Sequence, residues 1–89
     1  MVITKHAESR IRERLGLKKK AVPRMVATAL SKGKSHADHT GGAKRYLNGL
    51  FLAHKTANNL RVYGNFVYVF IGDKLITVID FPRRFIRYT

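Results

Sequence analysis

The chain has 89 residues, 45% of them hydrophobic, and sets 18 Lys and Arg against 5 Asp and Glu for a formal net charge of +13. That length predicts a single basic domain, 1–89, and the apolar fraction excludes wholesale disorder. The lack of cysteine excludes disulfides and thiolate metal sites, and no apolar run approaches the roughly 20 residues of a membrane span.

The first element in the chain is a helix from Thr4, which can cap it, to Leu15. Its apolar positions Ile3, Ala7, Ile11 and Leu15 form a row at spacing four. Gly16 supplies a left-handed stop, with Leu17 placed for the hydrophobic contact beyond it. A second helix is predicted over 21–32, with Pro23 tolerated in its first turn, Val22, Val26, Ala29 and Leu30 inward, and Gly33 closing it. "KSHADHTGGA", 34–43, reads as a loop. "KRYLNGLFLAHK" mixes helical spacing at Leu47, Leu50 and Phe51 with Gly49 and crowded aromatics, and is expected to be a short helix leading into extended chain.

From Leu60 the signal is strand. "LRVYG", "FVYVFIG" and "LITVIDF" are separated by Gly64-Asn65 and by Gly72-Asp73-Lys74, with Pro82 ending the last. "FVYVFI" is apolar on both faces and should be the central strand, covered on one side by the helices. The expectation is α+β, with two N-terminal helices and a possible short third packed on an antiparallel meander.

So large a cation excess repels itself in a compact fold, and an anionic partner relieves that. Nucleic acid ranks first, ahead of an acidic protein groove, and a membrane is not expected. At about 100° per residue His6, Arg10 and Arg14 form one row beside the buried seam, with Glu13 within ion-pair reach of Arg10. Arginine forks take two phosphate oxygens at once, and an imidazole moves protons near neutrality. The lysine run Lys18, Lys19 and Lys20 offers non-specific phosphate contacts or is simply a solvated corner.

Arg61 and Tyr63 share a sheet face expected to point away from the core, with Tyr68 as a possible neighbour. The closing "RRFIRYT" interleaves Arg83, Arg84 and Arg87 with Tyr88, which suits phosphates and stacked bases. His36 and His39 have only Asp38 as a carboxylate companion on a cationic background, so no metal site and no cofactor are expected.

The order of a helix bearing "H-x3-R", a second helix, a loop, and a sheet carrying Arg and Tyr with a basic end resembles the RelE-like toxins. These belong to a wider set of small metal-independent ribonucleases. "ITKHAESRIRERLGL" and "VYVFIGDKLITVIDFP" are also similar to small phage and prophage proteins of Firmicutes. The resemblance implies a basic sheet surface that holds and cleaves RNA, often within the ribosome, and a bacterial host cytoplasm. It matches Arg61, Arg83 or Arg84, and Tyr88 to the family's sheet residues, and His6 to the histidine of the related opening. The paired lysines that the family carries before its sheet are here Lys44 and Arg45.

Three functions follow as expectations. One is an RNA-binding protein without turnover that occupies RNA or an RNA-containing host complex. Another is a metal-independent endoribonuclease using His6, Arg61 and Arg84. The last is an inhibitor whose basic face mimics a nucleic-acid-binding partner or docks on an acidic protein groove, for instance against a nucleic-acid-binding host defence protein; an acidic protein or an antitoxin is the alternative partner to nucleic acid. Either a monomer or an edge-paired homodimer fits the meander.

Overall fold

Helix α1, Lys5–Leu15, forms where the sequence puts its signals. The Thr4 hydroxyl accepts from the Ala7 amide at 3.1 Å, and Gly16 ends the helix in the left-handed region at φ 68°. Leu17 packs back on the core beyond that stop. The computed structural model describes residues 1–86. A single 3₁₀ turn, Lys19–Ala21, leads into α2, Val22–Lys32, which carries Pro23 in its first turn.

Among the described residues the sheet has five strands in the order β1-β5-β4-β3-β2. They are β1 Val2–Ile3, β2 Lys34–Ser35, β3 Asn59–Tyr63, β4 Phe66–Ile71 and β5 Lys74–Asp80. The meander β3–β4–β5 is antiparallel, as its turn chemistry requires. Gly64 and Gly72, both at φ 61°, stand first in two-residue hairpin loops, where a side chain would be strained. The expected antiparallel meander is extended by a short strand at both edges, antiparallel at β2, and corrected at the β1 edge, where the pairing is parallel. Parallel β1 joins β5 through Val2–Lys74 and Ile3–Leu75, and β2 joins β3 through Lys34–Val62 and Ser35–Arg61.

A second correction concerns the layers. The segment read as a loop and a short helix contains α3, a helix over Gly41–Ala53, and α3 covers the face of the sheet opposite α1 and α2. One core gathers Ala7, Ile11, Val26, Tyr68, Phe70, Leu75 and Val78. The other gathers Leu47, Leu60, Val62, Val67, Val69 and Phe81. Val67, Tyr68, Val69 and Phe70 of β4 are therefore all fully buried, because alternate residues of a strand serve opposite faces and here both are covered. Truncating a side chain such as Phe70 to alanine is expected to cost about 3–5 kcal/mol. A short helix, α4, Arg83–Ile86, follows Pro82.

The side of β3 expected to face solvent is consequently an inner side. Tyr63 packs partly buried against the α1/α2 core. Tyr68 is 0% exposed, and its hydroxyl has no hydrogen-bond partner among the described residues. Burial, with a smaller contribution from Tyr63, pushes the Tyr68 phenol up to about 12.

Candidate nucleic-acid interface

Helix α1 runs alongside β5 in the same direction. Near its start the Thr4 hydroxyl donates to the Ile76 carbonyl at 3.4 Å, and two residues on His6 Nε2 lies 3.3 Å from the Thr77 hydroxyl. Near its end Arg14 meets the Asp80 carboxylate at 2.6 Å. Arg10, midway between His6 and Arg14 at spacing four, must lie along the same stretch. The sequence row is thus laid against Thr77–Asp80, a stretch of roughly 10 Å of strand.

Among the described residues no strand pairs with this stretch of β5 on its outer side. Strand β1 pairs only with Lys74 and Leu75. Beyond it the Asp80 carbonyl accepts from the Tyr46 phenol of α3 at 3.2 Å. Burial raises the Tyr46 pKa, the Asp80 carboxylate adds to that rise, and the Arg84 guanidinium opposes it. Arg84 lies over the Phe85 ring, which packs against Tyr46. A continuous strip follows along one edge of the sheet: His6, Arg10, Arg14 with Asp80, Tyr46, and Arg84.

Other nominated residues are near this strip in the chain. Lys44 and Arg45 are exposed in α3 immediately before Tyr46, and Arg83 is exposed beside Arg84 in α4. Lys18, Lys19 and Lys20 are exposed at the joint that follows α1. Arg87 and Tyr88 lie outside the described residues.

Arg61 is not part of the strip. On β3, two strands from β5, its Nε donates to Asn59 Oδ1 at 3.1 Å and its Nη1 to the Gly33 carbonyl at 3.3 Å. These bonds tie the end of α2 to the sheet. Gly33 has room for this joint only without a side chain, since a Cβ would run into the Ala29 carbonyl and stand 3.1 Å from the Arg61 Cβ. Tyr63 ends β3 at the same end of the sheet as Asp80, but across Phe66 and turned toward the α1/α2 core. The expected grouping of His6, Arg61 and Arg84 is thus divided: His6 and Arg84 mark the two ends of the β5 edge, and Arg61 braces the other edge.

Arg10 and Glu13 do not form the ion pair that their spacing offers; among the described residues the guanidinium of α1 that meets a carboxylate is Arg14, across to Asp80. The histidines of the 34–40 segment have structural partners. Asp38 accepts from the Ser35 amide at 2.9 Å and from its hydroxyl at 3.1 Å. His36 bonds to Asn48, and buried His39 donates from Nδ1 to the Ser35 carbonyl at 2.8 Å. Sequence reasoning missed Thr77, Asp80 and Tyr46, which are remote from α1 along the chain and carry no motif.

No family model, curated protein or solved structure matches the chain. Among the described residues no helix is long and apolar enough to cross a membrane.

Proposed function

We propose that the protein binds RNA, free or within a ribonucleoprotein, along the β5 edge. The observation that carries this reading is the laying of His6, Arg10 and Arg14 against Thr77–Asp80, continued through Tyr46 to Arg84. Cations held beside packed elements meet phosphates with less loss of side-chain freedom than lysines on a free surface. The two N-terminal helices against the β3–β4–β5 meander favour a RelE-like arrangement, to which α3 adds a cover on the second face.

The test is fluorescence anisotropy of labelled single-stranded RNA across a salt series. The logarithm of affinity should fall linearly with the logarithm of salt, with a slope of about −0.7 per phosphate engaged. Arg10→Ala and Arg14→Ala should each make that slope shallower by about 0.7. A flat salt response would remove the RNA reading and favour docking on an acidic protein surface.

One contact favours a second reading, that of a metal-independent endoribonuclease. Thr77 holds His6 through Nε2, which leaves Nδ1 to exchange a proton. In that reaction the RNA 2′-oxygen bonds to phosphorus and the P–O5′ bond breaks, giving a 2′,3′-cyclic phosphate and a 5′-hydroxyl. His6 takes the 2′ proton or delivers one to O5′, while Arg10 and Arg14 offset charge on the phosphorane. Cleavage of RNA in EDTA with cyclic ends, lost in His6→Ala while binding persists, is the expected result. Intact RNA after incubation with the wild type ends this reading and leaves the binding one.

A further inference from the structure

At the end of the strip the cation is built as a layer on an aromatic ring. The Arg84 Cζ lies 4.6 Å from the centroid of the Phe85 ring, and Arg84 is exposed. Phe85 is in turn held from below and from the sides. Phe81 and Tyr46 pack against it at 5.7 Å and 6.1 Å between ring centroids, tilted by 49° and 47°. At Gly42, in the first turn of α3, a Cβ would stand 3.0 Å from Phe85 Cε1, so the missing side chain is what admits the ring so close to the helix. The ring is fixed by three neighbours and the guanidinium rests on it. Phosphate capture alone does not call for an aromatic ring beneath the cation, since packing or a hydrogen bond holds an arginine for that purpose, as it holds Arg14.

We propose that Arg84 on Phe85 is a stacking seat for one unpaired base, so that the partner is single-stranded RNA with a base at this end and phosphates along α1. This rests on the RNA-binding reading above. A guanidinium is planar and weakly hydrated, and a base can lie on its outer side while the Phe85 ring supports its inner side. A duplex keeps its bases stacked inside and offers nothing to this seat. Stacking of a single base contributes on the order of 1–3 kcal/mol, about 5- to 150-fold in affinity. The seat is therefore measurable against a background of charge.

The test uses oligouridylate, which stays single-stranded, beside inorganic polyphosphate of the same charge, which has no bases. The variant is Arg84→Lys, which keeps the charge and removes the plane. Wild type should bind oligouridylate at least about 5-fold more tightly than the variant does, with the same salt slope in both. Polyphosphate should bind both proteins alike. Gly42→Ala, which pushes on Phe85 and leaves every charge in place, should also weaken oligouridylate selectively. Wild-type affinity of Arg84→Lys for oligouridylate overturns the seat and leaves the RNA reading standing. Equal loss of both ligands in that variant also overturns it, since only charge geometry would then be at work. No binding of oligouridylate by the wild type overturns seat and RNA reading together.

Discussion

Arg61 on β3 and Arg14 beside β5 are both arginines held against the sheet, and they are used in different ways. Arg61 donates to Asn59 and to the Gly33 carbonyl, joining α2 to the sheet, so its hydrogen-bonding capacity is directed inward. Among the described residues Arg14 meets a single carboxylate, Asp80, whose side chain is 65% exposed, and its companions His6 and Arg10 lie along an edge where no described strand pairs beyond Leu75. A cation's count in a sequence therefore says little about its availability. What decides is whether the neighbouring acceptors are backbone carbonyls within the fold or solvent.

The largest expected effect tests that contrast directly. Arg61→Ala removes a charged donor from a half-buried site and strands the Gly33 carbonyl, so unfolding in urea should lose about 2 kcal/mol with an unchanged m-value. The salt slope of RNA binding should stay at the wild-type value. A variant that keeps its stability and binds RNA with a shallower slope would reverse the assignment of the two edges.

Tyr68→Phe examines the strand between them. Its phenol is fully buried without a partner among the described residues, so removing the oxygen discards a desolvated polar group and no bond. Stability should hold or rise by up to about 1 kcal/mol. A loss of that size would mean that the hydroxyl is bonded and that the face under α1 and α2 is more polar than this packing allows.

Helix α1 was legible because every local signal agrees: a threonine cap, an apolar row at spacing four, and a glycine stop followed by leucine. The same periodicity delivered His6, Arg10 and Arg14 as neighbours. Helix α3 was legible only in part, since Gly41, Gly42 and Gly49 weaken helix propensity while Leu47, Leu50 and Phe51 keep its spacing. Missing its full length meant missing the second layer, and that turned the inner side of β3 into an apparent binding face. Strand β1 is two residues long and pairs in parallel with a segment near the other end of the chain, a relation with no local signature. Thr77, Asp80 and Tyr46 were hidden for the same reason, because only the packing of α1 and α3 on β5 gives them meaning.

Asp80→Asn sharpens the contrast from the acidic side. On the proposed strip Asp80 would compete with phosphate for Arg14, so neutralising it should tighten RNA binding several-fold while the salt slope stays near the wild-type value. Stability should change by less than about 1 kcal/mol, since the pair is largely solvated. Unchanged affinity would show that Arg14 does not reach the RNA.

Asp38 supplies the matching acid near the opposite edge, and here the expected effect is smallest. The Ser35 amide, then the Ser35 hydroxyl, hold its carboxyl below the ordinary value of 3.8, with His39 and Arg61 adding to the same direction. A carboxylate whose folded pKa is depressed gives stability that is complete above the unfolded pKa and disappears as pH falls through the folded one. The melting temperature should therefore decline as acid is added below about pH 4, and Asp38→Asn should flatten that part of the decline. At neutral pH the same variant should keep the wild-type salt slope for RNA, because this carboxylate closes a turn away from the proposed RNA strip. A steeper slope in Asp38→Asn would place RNA on the β2 side as well, and the division of labour between the two edges would fail.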